Sequence, residues 1–114
     1  MTEAALLVFG IAAIGGAILA FQVIRKVFAP WILSVTHAVL GAIGLVLLVL
    51  VLLQDPQQGL IIAALVLMLA AALGGFYLAY NHLEKRIPPI ALVLTHGSVA
   101  VVGFVVLGWA VLGA

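Results

Sequence analysis

The sequence predicts an all-α integral membrane protein: an up-down bundle of four transmembrane helices, built from two tandem helical hairpins, N-out and C-out. Three observations predict it. Of 114 residues, 68% are hydrophobic and 6% are charged, for a mean hydropathy of +1.53. A short soluble chain leaves much of its surface in water, so a surface this apolar needs lipid as its solvent. Hydropathy then divides the chain into four runs, approximately 4–24, 30–53, 59–81 and 89–113. Each matches or exceeds the ~20 residues that a helix needs to cross a hydrocarbon core. Finally, Gly15 and Gly74, Lys26 and Lys85, Pro30 and Pro89, His37 and His96, and Gly44 and Gly103 are all 59 positions apart. A register kept without a gap across two apolar segments predicts an internal duplication. The chain is thus expected to form one transmembrane domain, residues 1–114, with repeats of about 1–54 and 59–114.

The elements follow in order. The first run comes after Met1-Thr2-Glu3, which has no basic residue, and is long enough to span. It is expected to be a spanning helix rather than a cleaved signal. It carries Gly15-Gly16 and stops at Arg25-Lys26. The second run opens at Pro30, a residue suited to a helix start because the N–H it lacks would be unpaired there anyway. It carries Thr36-His37 and ends in the polar stretch Gln54-Asp55-Pro56-Gln57-Gln58-Gly59. The third run carries Gly74-Gly75 and gives way to Glu84-Lys85-Arg86; the fourth follows Pro88-Pro89 and carries Thr95-His96. Without water at depth, backbone groups must pair within each segment, so all four runs are expected to be helices.

Charge placement predicts orientation. Arg25, Lys26, Lys85 and Arg86, the chain's only Lys and Arg residues, flank the first and third breaks, and the middle break has none. The positive-inside rule puts those two loops in the cytoplasm and both termini outside, in a bacterial-type inner membrane. Trp31 and Tyr80 at the inner ends and Trp109 at the outer end fit interfacial anchoring. Two hairpins in one orientation imply a pseudo-twofold axis along the membrane normal. Short connections favour sequential antiparallel neighbours, so helices 2 and 4 are expected on one diagonal, with His37 facing His96.

Depth singles out the histidines. Each is seven residues past its proline, about 10 Å into its helix at 1.5 Å per residue. Gly15-Gly16 and Gly74-Gly75 fall at about the same level on helices 1 and 3. Four and seven residues beyond His37 are Gly41 and Gly44; beyond His96 they are Ala100 and Gly103. Those offsets share a helix face, so each imidazole is expected at one end of a groove without bulky side chains. Ionisable groups at this depth are costly and lean towards function. A flat macrocycle ligated through its metal by both imidazoles would use those grooves, with further relief for its rim at the glycine pairs.

These residues resemble the membrane b-type cytochromes, in which bis-histidine haem is held between transmembrane helices and nearby glycines make space for the ring. The resemblance is architectural and covers the four-helix core, residues 4 to 113. It implies His37 and His96 as ligands of one non-covalent haem b, with Gly15, Gly16, Gly74 and Gly75 as spacing glycines. It also implies electron transfer within or beside a larger redox complex, with Arg25, Lys26, Lys85 and Arg86 near the haem propionates. The pattern departs from two-haem members of those families, because the outer halves of helices 2 and 4 carry no histidine. One haem is the most that two ligands allow.

Other chemistries find less support. Without cysteine, disulfides, iron–sulfur clusters, a thiolate nucleophile and c-type haem attachment are excluded. Structural zinc takes four ligands and catalytic zinc three, more than the central pair offers. No Ser/His/Asp set or carboxylate pair falls near His37 or His96, and the net charge of +1 suggests no nucleic-acid partner. The alternative reading is a cofactor-free accessory subunit, its glycine faces packing within the bundle or against partner subunits or other copies of itself. Thr36 and Thr95 are read as structural, bonding carbonyls one turn back near Ile32 and Ala91. His82 is read as a solvated interfacial side chain. Tyr77 and Tyr80 are read as belt residues, with a quinone contact as the minor alternative.

Overall fold

The computed structural model describes residues 1–113, and these form four α-helices with no strand among them: α1 Thr2–Ile24, α2 Trp31–Gln54, α3 Gly59–Leu83 and α4 Ile90–Leu112. All four are long and apolar enough to cross a membrane. Their bounds follow the breaks in hydropathy, except that α3 runs on through His82 to Leu83.

The ends have local causes. Pro30 and Pro89 hold extended backbone (ψ 139° and 134°) immediately before α2 and α4. At the ends of α1 and α3 the chain reverses through two matching pairs of bonds. Lys26 N–H donates to Val23 O at 2.9 Å and Val27 N–H to Gln22 O at 2.8 Å. Lys85 N–H donates to His82 O at 3.0 Å and Arg86 N–H to Asn81 O at 2.9 Å. This is the Schellman pattern, with a residue in the left-handed region at the turn. Lysine occupies that place both times, at φ 58° (Lys26) and 56° (Lys85), where glycine is the usual choice.

The helices stand at the corners of a square, in a bundle of 42 × 19 × 19 Å. α1 packs on α2, α2 on α3, α3 on α4 and α4 on α1; across each diagonal no Cα atoms come within 8 Å. The core lies at one end. Its buried members are Ala5 and Phe9 of α1, Leu48 and Val51 of α2, Ile61, Ala64 and Met68 of α3, and Leu107 of α4. First turns of α1 and α3 thus meet last turns of α2 and α4, so the bundle runs up and down. Elsewhere large side chains point outward, Ile32 and Leu112 at 79% exposure among them. Lipid tails are as apolar as leucine, so in a membrane such a bundle is held by close packing rather than by transfer out of water.

Close packing explains Gly44 and Gly103. A Cβ on Gly44 would lie 2.5 Å from Phe9 Cζ, and one on Gly103 would lie 3.3 Å from Met68 Sδ. The clearance that the sequence suggested for a groove is here taken by Phe9 and by Met68.

Candidate functional site

The opposite half of the bundle contains His37 and His96. Their helices stand on the α2–α4 diagonal, and their ring centres are 6.2 Å apart with planes at 79°. Each ring is anchored to the preceding helix. His37 Nδ1 lies 2.8 Å from Ala12 O of α1, and His96 Nδ1 lies 2.7 Å from Ala71 O of α3. A carbonyl only accepts, so Nδ1 must be the protonated nitrogen in both rings. In a neutral imidazole with that tautomer, Nε2 carries the free lone pair.

The reach to a helical carbonyl depends on glycine. A helical side chain leans towards the N-terminus and covers the turn before it. The side chain of residue 16 would therefore cover the carbonyl of Ala12, and that of residue 75 the carbonyl of Ala71. Both residues are glycine. A Cβ on Gly16 would lie 2.9 Å from His37 Cε1, and one on Gly75 would lie 3.2 Å from His96 Cε1. A Cβ on Gly15 or Gly74 would lie at ordinary van der Waals range, 3.9 and 3.6 Å from the Cβ atoms of His37 and His96. The glycine pairs thus face the imidazoles themselves. They seat the rings, a use distinct from both the macrocycle rim and the plain helix packing that the sequence suggests for them.

Around the pair, Gly41 has nothing within 4 Å of where a Cβ would lie, and Ala100 is half-buried. Ala12 and Ala71 are the members of the site that sequence reasoning missed. A signal was present: each histidine follows its alanine by 25 positions, and each alanine precedes a glycine by four.

His82 differs from its expected setting. It is 8% exposed, its Nδ1 lies 3.0 Å from Ser34 Oγ, and its ring stacks on Trp31 with centres 3.8 Å apart. Phe28 meets it edge-on at 4.5 Å. The loop before α2 folds over the end of α3 and removes this ring from solvent, a tertiary contact with no local signature. Tyr77 and Tyr80 remain about half exposed, with Arg86 over the Tyr80 ring at 5.4 Å, as suits an interfacial belt. Thr95 donates to Ala91 O at 2.8 Å, one turn back, as expected.

Chemically, two imidazoles, each tied through Nδ1 to a backbone carbonyl, stand 6.2 Å apart across a diagonal. No group of three or more His, Cys, Asp or Glu side chains suited to a metal ion occurs among the described residues. Fold and site define a four-helix apolar bundle with a central histidine pair. No family model, curated protein or solved structure matches the chain.

Proposed function

We propose that this protein is an integral-membrane b-type cytochrome that holds one non-covalent haem b between His37 and His96 and passes electrons within a larger redox complex. The observation that carries the reading is the geometry of the pair. The two ring centres are 6.2 Å apart, close enough for both imidazoles to reach one metal ion at metal–nitrogen bonds of about 2 Å. Both rings also have Nδ1 committed to a backbone carbonyl, the arrangement that fixes tautomer and orientation in metal-bound histidines and makes Nε2 a better donor.

The haem would supply one-electron Fe(III)/Fe(II) chemistry. The chain's own residues do the rest. His37 and His96 would hold the haem through its iron, and a haem held by two protein ligands would favour electron transfer over oxygen or peroxide activation. Ala12 and Ala71 carbonyls hold the rings, and Gly16 and Gly75 allow that hold. Phe9, Met68, Leu48 and Leu107 close the far end against water. Arg25, Lys26, Lys85 and Arg86 supply positive charge for propionates at the near end.

The reading includes a gene-level duplication, because residues 59 positions apart, such as Ala5 and Ala64 or Leu48 and Leu107, serve alike as core. It also includes cytoplasmic α1–α2 and α3–α4 loops in a bacterial-type inner membrane, from the clustering of the cations. With no native cysteine, Gln57→Cys and Glu84→Cys test that orientation. Impermeant maleimide should label Cys at 57 on intact cells and Cys at 84 only after permeabilisation.

For the haem, the test is the visible spectrum of the detergent-purified protein, oxidised and then dithionite-reduced, with a pyridine haemochrome assay. A sharp α band and about one haem per chain are expected. A colourless protein that stays colourless after haem is supplied would overturn the reading. A second reading, a cofactor-free accessory subunit, draws on the seating of Phe9 over Gly44 and Met68 over Gly103, which is plain helix packing. In that case His37→Ala would leave assembly with partner subunits unchanged, and Gly44→Leu would disrupt it.

A further inference from the structure

At the end of the bundle that carries the cationic loops, the two seams between hairpins are closed differently. In the α2–α3 seam, His82 stacks on Trp31, meets Phe28 edge-on and pairs with Ser34. Counting 59 positions from His82, Phe28 and Trp31 leads to Val23, Ile87 and Ile90 in the α4–α1 seam. There the three side chains do not close the seam. With Ile24, Lys26 and Pro88 they line an open cavity of about 360 Å³. Small-molecule sites fall at about 300–1,000 Å³, so the space is large enough to hold part of a ligand.

The lining limits what that ligand is. Five of the six residues are aliphatic or proline, and the sixth is Lys26. No neutral hydrogen-bonding side chain is offered, so a polar metabolite would lose its hydration without replacement. The Lys26 ammonium is free for a negative group: among the described residues the ion pair present is that of the N-terminus with Glu3, at the other end of the bundle. Arg25, Lys85 and Arg86 at the same end are likewise without a carboxylate partner, so the field there is positive. The cavity lies where the ends of two helices apolar enough to span a membrane, α1 and α4, meet their loops.

We infer that this cavity is a site for one anionic phospholipid, with an acyl chain lying in the α4–α1 seam and the phosphate meeting Lys26. The lipid closes beside α1 and α4 the wall that His82, Trp31 and Phe28 close beside α2 and α3. The histidine pair then has a complete surround at that end. The inference uses neither His37 nor His96; Lys26 is the one group it shares with the haem reading, in which Arg25, Lys85 and Arg86 remain for the propionates.

The experiment is native mass spectrometry of the delipidated full chain in detergent, titrated with phosphatidylglycerol and with phosphatidylcholine of identical acyl chains. One phosphatidylglycerol per chain should be retained, about fivefold more tightly than phosphatidylcholine, the effect of one lysine at a membrane surface. Lys26→Gln should abolish that preference. Lys85→Gln, at the matching place beside the closed seam, should keep it. Ile87→Trp, which fills the cavity, should weaken both lipids about tenfold. Equal retention of the two lipids would overturn the proposal, as would an equal loss in Lys85→Gln or unchanged retention in Ile87→Trp. Lys26→Gln alters an exposed side chain, so it remains decisive should Ile87→Trp fail to fold.

Discussion

The two halves of this bundle use glycine in opposite ways. In the half with the core, Gly44 and Gly103 are covered by Phe9 and Met68, and Leu48 and Leu107 are fully buried beside them. Space made by a missing side chain is taken by another helix's hydrocarbon. In the other half, Gly16 and Gly75 make space that is taken by imidazoles, each tied to a backbone carbonyl. Small residues in membrane helices generally serve close packing, and the first half is that case. The second half gives up hydrocarbon packing to position two polar rings, which is costly in lipid unless the rings have a task.

The largest expected effect separates the halves outright. His37→Ala or His96→Ala should each remove low-spin haem from the purified protein, measured by the reduced α band, while the helical signal in circular dichroism persists. Haem content equal to the parent in either variant would end the assignment. The next effect uses one substitution in both halves. Gly16→Ala brings a Cβ to 2.9 Å from the His37 ring, and Gly44→Ala brings one to 2.5 Å from the Phe9 ring. Overpacking costs about 1–3 kcal/mol. Both variants should lose thermal stability in detergent. Only Gly16→Ala should also lower haem affinity, because it displaces His37, the proposed ligand. Equal haem affinity in the two would show that the glycines differ in nothing but place.

A smaller effect belongs to Leu48→Ala and Leu107→Ala. In a soluble core such a change combines lost transfer with a cavity. Lipid removes most of the transfer part, since the exposed alternative is equally apolar. We expect about 1–3 kcal/mol of destabilisation, read by unfolding in mixed micelles, with the α band of the surviving fold unchanged.

Much of this was legible in sequence because it rests on periodicity and chemistry that lipid makes strict. Four spans follow from hydropathy, their ends from Pro30, Pro89 and the cationic breaks, and the diagonal placement of His37 and His96 from short loops. The partners of the histidines were not read, because a carbonyl has no letter in the sequence. Ala12 and Ala71 show only as small residues one turn before glycine. The fates of Gly44 and Gly103 depended on which neighbouring side chain reached them, and Phe9 and Met68 differ in shape although they stand 59 positions apart. His82 was misjudged for a similar reason: its neighbours Glu84, Lys85 and Arg86 read as solvent, but Trp31 and Phe28 arrive from another hairpin.

The smallest expected effect concerns that same ring. His82 Nε2 is buried with no hydrogen-bond partner among the described residues, so the ring carries a desolvated polar atom beside its bond to Ser34. His82→Phe would delete both, keep the stack on Trp31 and free the Ser34 hydroxyl to bond within its own helix. A neutral hydrogen bond contributes about 0.5–1.5 kcal/mol and an unpaired buried group costs about 1–3 kcal/mol. The two terms oppose each other. His82→Phe should therefore lie within about 1 kcal/mol of the parent in thermal stability, with the haem α band in place. His82→Ala removes the stack as well and should be clearly less stable. A collapse of His82→Phe to the level of His82→Ala would mean that the imidazole nitrogen, and not the ring face, holds the α2–α3 seam. The histidines would then be polar fasteners at both levels of this half, and the contrast between the two halves would sharpen into one of polar against apolar packing.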